Sequence, residues 1–408
     1  MKRTLITNIG MLATPQGTAA RGGRAQGEIC ILKNAWIFIE NDVIAQVGTG
    51  TAPAAVGVQI INAGGKLVTP GLVDAHTHLI FGGWRQNELA LKLHGAGYLD
   101  ILAAGGGILS TMRATQSASE EQLEAKASAA LDEMLRFGTT TAEAKSGYGL
   151  STGEECKALR VIGKLQKHHV MDLAATFMGA HAVPEAYRDN RQGYLELLCE
   201  EMLPAVREQG IAEFCDVFCE KGVFSAEESR RILLTGRQHG LRPKIHADEI
   251  EAIGGSELAG EIGAVSAEHL IVCPPSGIAS MAEGGTVACC LPATSFYLGA
   301  AYAPVQDMVQ AGVPVAMATD FNPGSCPCLN MQLVISLGCL RYRLTREQAL
   351  TAVTLNGAAA ICRADRIGSI EPGKQADILI WNAEDLDYIC YRLGSNLVDT
   401  VIKKGNVV

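Results

Sequence analysis

The sequence predicts an α/β fold: a (β/α)8 barrel of the TIM type, joined to a small β-sandwich formed by both termini. Three observations predict it. About eight strand-like runs alternate with helical stretches through the middle of the 408-residue chain, the number a closed parallel barrel needs. Both ends are rich in Ile and Val and punctuated by Gly, Asn and Asp, the pattern of hairpins. A hydrophobic content of 48% over that length can also fill a large core.

Residues 1–66 hold the short strand-like runs "TLITNIGML", "EICILKNAWIFIEND" and "VIAQVG", and a fourth begins within "VQIINAGGKLVTPG". Residues 368–408 repeat the style with "GSIEPGKQADILIWNAED" and "LVDTVIKKGNVV". Two all-β ends around a different middle predict one composite β-domain, with residues 67–367 as the barrel. The barrel strands are expected at "GLVDAHTH", "GTTTAEAK", "LAATFMGAH", "EFCDVFCE", "PKIHADE", "AVSAEHL", "TVACCLP" and "PVAMATD". Between them lie helices. The clearest starts with Ser119 and Gln122 as a capping box, carries Leu123, Ala127, Ala130, Leu131, Met134 and Leu135 on one face, and stops at Gly138. Another starts at Ser225 with Glu228 three residues on, and turns Ile232 and Leu233 toward the strands. A doubly wound open sheet is the alternative, but no Gly-x-Gly-x-x-Gly follows the first strand. "AAGGGILS" at 103–110 lacks the lysine of a phosphate loop and is expected as a flexible loop near the site.

A formal charge of −9 and a pI near 5.6, with no Lys/Arg run, argue against a nucleic-acid or anionic-membrane partner. Small neutral or acidic partners remain open. The opening "MKRTLITNIGMLATP" has no convincing cleavage site, and no run approaches a membrane-spanning length, so a cytoplasmic, soluble chain is expected. Thirteen cysteines, an odd and scattered set, fit reduced buried thiols. Only Cys326-Pro-Cys328 is close enough to suggest redox or metal chemistry, and a lone pair of this kind leaves its role open.

In such a barrel the functional residues sit at the C-terminal ends of the strands. Those ends carry His76 and His78, then Glu143 and Lys145, His181, Glu220, His246 with Asp248 and Glu249, His269, and Asp320. Five of the nine histidines fall there. In an extended strand His76 and His78 point the same way, with Asp74 on the same side. A metal explains the set: the imidazoles of His76, His78 and His246 and the carboxylate of Asp320 suit Zn2+ or a similar divalent ion, with a position open for water. Asp320 is placed to take a proton from that water, and His269 to polarise or protonate the substrate.

These residues resemble the amidohydrolase superfamily, through "PGLVDAHTH", His246 on the fifth strand, His269 on the sixth, Asp320 on the eighth and the closing "GSIEPGKQADILIW". Within it, "HLIFGGWR", "GGGILSTMRAT", "GTTTAEAKSGYGL", "TFMGAHAVP", "KIHADEI", "SAEHL" and "ATDFNPGS" resemble the imidazolonepropionase family. The resemblance implies hydrolysis of the cyclic amide of 4-imidazolone-5-propanoate to N-formimidoyl-L-glutamate in histidine degradation, with one divalent ion per chain, zinc or iron. It assigns Arg85 to the propanoate, Tyr148, His181, Glu249, Asn322, Gly324 and Ser325 to substrate contacts, with Tyr98 a weaker candidate, and it implies a homodimer. Glu143 and Lys145 are expected as a structural pair below the site. Lys221 lies close to where two-metal relatives carry a carboxylated lysine, but this pattern leaves it outside. Which of Glu249, His269 and Asp320 moves the leaving-group proton stays open.

Two other readings compete. An aminohydrolase that deaminates a nitrogen heterocycle would suit the same ligands, yet has no need of a carboxylate clamp such as Arg85. A non-catalytic barrel would be expected to lack a ligand, and none is missing.

Overall fold

The structure is a computed structural model that describes residues 2–53, 57–94 and 106–408. Its first five strands are β1 (Arg3–Thr14), β2 (Cys30–Glu40), β3 (Val43–Thr49), β4 (Gln59–Asn62) and β5 (Leu67–Pro70). Eight more follow: β6 (Leu72–Asp74), β7 (Thr139–Lys145), β8 (Asp172–Ala180), β9 (Phe214–Cys219), β10 (Arg242–Ala247), β11 (Ser266–His269), β12 (Val287–Cys290) and β13 (Val315–Met317). The last are β14 (Ile378–Trp381), β15 (Val398–Lys403) and β16 (Asn406–Val407).

Strands β6 to β13 pair in sequence order, all parallel, with helices between them. All eight expected barrel strands are present. Past the regular strands, Thr77 and Phe321 form a parallel bridge that brings the first and last strand ends together. Asp320 N–H donates to the His76 carbonyl (3.0 Å) and His78 N–H to the Phe321 carbonyl (2.9 Å). This closure fixes the register of three of the four predicted ligands.

The helices follow the sequence signals. Glu120–Arg136 is capped by Ser119 and Gln122 reciprocally, buries Leu123, Ala127, Leu131 and Met134, and ends before Gly138, whose φ is 95°. A Cβ at Gly138 would lie 2.8 Å from Leu379, so glycine serves the close approach of strand β14 as well as the turn. Ala226–Gln238 carries the second capping box, on Ser225 and Glu228, and buries Ile232 and Leu233.

The terminal strands form one branched sheet in the order β16-β15-β14-β5-β1-β2-β3, with β4 also on β1. Strand β5 lies in this sheet and runs into β6 within two residues, so the sheet and the barrel share a continuous entry. The sheet encloses its own cluster, including Ile6, Ile9, Leu12, Ile37, Ile39, Val68, Ile378 and Ile402. The sandwich expected of both termini is thus a single hydrogen-bonded sheet around one core. Among the described residues, no helix is long and apolar enough to cross a membrane.

Charge fastens this sheet to the base of the barrel. Buried Lys403 on β15 reaches Asp172, the first residue of β8, and Asp377, each at 2.7 Å, while Lys404 reaches Asp172 at 2.5 Å. Burial pushes the Asp172 carboxyl up, but the two ammonium groups outweigh it and hold its pKa at about 2, below the ordinary 3.8. A carboxyl with a lowered folded pKa stabilises above its ordinary value and loses that contribution as pH falls through the folded one. Asp172→Asn is therefore expected to cost on the order of 1–2 kcal/mol near neutral pH, discounted for part exposure. The gap between variant and parent, followed by thermal unfolding, should close between about pH 4 and about pH 2; a gap that persists at the acid end would count against the lock.

Candidate metal centre and active site

His76, His78, His246, His269 and Asp320 meet at one mouth of the barrel, each no more than 3% exposed. His76 and His78 lie just beyond β6. His246 is the fifth residue of β10, with Lys244 two residues before it on the same inward face. Regular alternation would put Glu268 and His269 on opposite faces of β11. His269 takes a left-handed φ of 68° instead, and both side chains join the site. Asp320 is also left-handed, at 58°. Such conformations are unfavourable for residues with side chains and are retained where the surroundings impose them.

The donor atoms converge. His76 Nε2 is 3.4 Å and His78 Nε2 is 3.5 Å from Asp320 Oδ1, and His246 Nε2 is 3.3 Å from His78 Nε2. Tetrahedral ligation at roughly 2.1 Å places donors about 3.4 Å apart, so the spacing fits a divalent ion. His76 Nε2 and Asp320 Oδ1 are buried and without a hydrogen-bond partner, an arrangement that costs free energy unless something else satisfies them.

Buried carboxylates orient two of the rings. His76 Nδ1 lies 2.5 Å from Glu268 Oε2, and His246 Nδ1 lies 3.1 Å from Asp216 Oδ1. Each carboxylate fixes the proton on Nδ1 and leaves the Nε2 lone pair facing the centre. Asp216 also takes Lys145 (2.7 Å), Lys145 reaches Glu143 (2.8 Å), and Lys244 bridges Glu143 (2.8 Å) and Glu268 (3.4 Å). The expected pair of Glu143 and Lys145 is therefore part of a five-charge network, fully buried.

This setting tunes protonation. Burial, then the charges of Lys145 and the neighbouring imidazoles, hold His76 well below the ordinary histidine value. Burial and the adjoining His181 and His246 do the same for His78. Burial brings His181 and His269 down to about 3, so both rings are neutral. It also raises Asp320 to about 6 and Glu249 to about 7. Asp320 Oδ2 accepts from Thr294 Oγ1 at 2.7 Å, which leaves Oδ1 free. Glu249 Oε1 lies 3.6 Å from His269 Nδ1.

The other predicted residues gather on one side. His181 stacks on His78 with centroids 4.8 Å apart, and the Tyr148 ring lies 5.9 Å from His78 and 5.1 Å from His181. Arg85 donates from Nε and Nη2 to buried Glu88, both at 2.9 Å, and Nη1 faces the glycine loop. A Cβ on Gly324 would lie 2.1 Å from that nitrogen. Asn322 spends its amide within the loop, donating to the Asp320 carbonyl (2.7 Å) and Ser325 Oγ (2.8 Å) and accepting from Gly324 and Ser325 N–H. It shapes the loop that carries Asp320.

Some expected positions lie elsewhere. Asp74 turns away from the imidazoles and accepts from Thr319 N–H and Oγ1, because β6 ends there. Glu220 accepts from the N–H groups of Lys221, Ile250 and Glu251 and builds a loop. Lys221 is paired with Glu251 on the exterior, consistent with its place outside the site. Tyr98 and residues 103–105 of the glycine-rich stretch lie outside the described residues. Sequence reasoning missed Asp216, Lys244, Glu268, Thr294 and Glu88. The available signal was period-two spacing: Lys244 with His246, and Ser266 with Glu268, mark the inward faces.

Residues 67–408 match the model of the amidohydrolase family. The chain is 50% identical to an imidazolonepropionase of Alkaliphilus metalliredigens over 414 residues, covering 100% of this chain and 98% of that one. It is 49% identical to an imidazolonepropionase of Bacillus cereus over 412 residues, covering 100% and 97%. Among solved structures it is similar to E. coli guanine deaminase, with TM-score 0.75 and 16% identity over 100% of this chain and 99% of that one. It is also similar to a zinc-bound adenosine deaminase from Xanthomonas campestris, with TM-score 0.71 and 20% identity over 99% and 92%. At these identities the structural likenesses speak to fold.

If Glu268 holds the His76 tautomer, Glu268→Gln should weaken Zn2+ binding by roughly 10–100-fold in a chelator competition, with secondary structure intact. Undiminished affinity would show that His76 does not depend on this carboxylate.

Proposed function

The chain belongs to the amidohydrolase family, and from that membership we propose that it opens the imidazolone ring of 4-imidazolone-5-propanoate by hydrolysis, giving N-formimidoyl-L-glutamate in histidine degradation. The observation that carries this reading is half-identity to imidazolonepropionases over the whole chain, joined to a donor cluster suited to a divalent ion. His76, His78, His246 and Asp320 would hold one such ion, zinc or iron; bound there, it would supply a Lewis acid and bring the pKa of water toward about 7.

The chain's own groups do the rest. The Asp320 carboxylate, oriented by the Thr294 hydroxyl on Oδ2, takes a proton from the attacking water. His269 stabilises charge that develops on the ring carbonyl oxygen. Glu249, beside His269, faces the ring nitrogens and is placed to hold or return a proton to the departing nitrogen. Arg85 receives the propanoate at its Nη1 edge while Glu88 holds the opposite edge, so the cation meets substrate with its orientation already set. Tyr148 and His181 wall the pocket beside His78 and keep water from it. The homodimer and the cytoplasmic location implied by the resemblance belong to the same proposal.

Turnover is measured by loss of the substrate's ultraviolet absorbance and appearance of formimidoylglutamate. His76→Ala and Asp320→Asn should each lower kcat/KM by roughly a thousandfold or more; near-parental rates in either would sink the mechanism. Ammonia release without ring opening would instead indicate a deaminase. Arg85→Gln should raise KM about 10–100-fold with a smaller effect on kcat, the signature of a lost charged hydrogen bond to the substrate tail. Gly324→Ala should move KM the same way, at parental metal content, because its methyl displaces the guanidinium. Unchanged KM in both would remove Arg85 from the carboxylate site.

A further inference from the structure

A second polar cavity, of about 220 Å3, opens at the end of the barrel opposite the imidazoles. Its walls come from the starts of three barrel strands and from the segment that leads toward β14. Thr141 lies near the start of β7, Asp172 begins β8, and Glu213 precedes β9, while Arg363, Arg366 and Gln375 close the other side.

Most charge here is already matched. Arg363 Nη2 binds both oxygens of Glu213, at 2.6 and 2.5 Å. Asp172 is saturated by Lys403, Lys404 and the Gln375 amide. Two groups are left over. The Arg366 guanidinium is exposed and makes no hydrogen bond or ion pair among the described residues. The Thr141 hydroxyl is buried and has no partner, an arrangement that costs free energy unless a ligand or water satisfies it. One uncommitted cation and one residue with an uncommitted buried hydroxyl thus line the same small cavity. Its volume lies below the roughly 300–1,000 Å3 of sites for drug-sized ligands, so the occupant is a small metabolite.

We propose that this basal cavity binds a small carboxylate, one carboxyl oxygen accepting from Arg366 and the other from Thr141. The planar fork of arginine suits a carboxylate, and the pairing spans the barrel and the segment entering the terminal sheet.

The test is calorimetric titration of the metal-loaded Arg85→Gln protein, so that binding at the active site does not add to the signal. The probes are glutarate, neutral glutaramide and inorganic phosphate. Glutarate should bind saturably, glutaramide should give no heat, and phosphate should bind more weakly. Adding Arg366→Ala should weaken glutarate at least roughly tenfold, as should Thr141→Val, which keeps the side-chain shape. Arg366→Ala in the parent chain should leave kcat and KM unchanged, placing the effect at the basal cavity. Absence of saturable glutarate binding, equal binding after both substitutions, or tighter binding of phosphate than of glutarate would each overturn the assignment.

Discussion

The buried ionic network beneath the imidazoles constrains everything above it. Three carboxylates, Glu143, Asp216 and Glu268, face two ammonium groups, Lys145 and Lys244, all without access to solvent. Each buried charge costs several kcal/mol in lost hydration, and the arrangement survives only because every member has partners. Thr176 and Ser266 donate to Glu143 and Glu268 at 2.5 Å, and the Ala75 carbonyl accepts from Lys244 at 3.2 Å. One negative charge is in excess. A divalent ion at the imidazoles above would offset it, so the network that orients the rings also suits the site to a cation.

Barrel closure serves the same end. A parallel barrel of this kind is closed wherever its first and last strands meet, and here they meet through the backbone of the ligand segments themselves. The hydrogen bond from Asp320 N–H to the His76 carbonyl ties the carboxylate to the histidine pair, so donor spacing is set by main-chain geometry. The left-handed residues at His269 and Asp320 are tolerated because closure and packing impose them.

Much of this was legible in the sequence. Alternating strand and helix signals, two capping boxes and the concentration of histidines at strand ends pointed to the barrel, its helices and the donor cluster. What stayed hidden depends on neighbours distant in sequence. Glu268 reads as an ordinary strand residue until β11 is set against His76, 192 positions away. Asp216 and Thr294 gain meaning only from His246 and Asp320. Asp74 went the other way: an extended strand through residue 78 would put it beside the histidines, but β6 ends at Asp74, and the changed backbone sends the carboxylate to Thr319. Asn322 looked like a ligand contact from its motif, yet its amide is committed to the loop.

The composite terminal sheet has a consequence for biosynthesis. Strand β5 takes β1 on one edge and β14 on the other, and β14 is followed by β15 and β16. During translation the whole barrel sequence leaves the ribosome while the β14 edge of β5 still lacks its partner. Until then an apolar strand edge stays open, the kind of surface that chaperones retain and proteases survey. Strand β15, which follows and pairs with β14, then delivers Lys403 to Asp172, so the charge that fastens sheet to barrel comes just after the strand that covers the edge. Strands β14 and β15 thus arrive after the barrel they join, and a ribosome that stops short of them leaves a product recognisable by its uncovered edge.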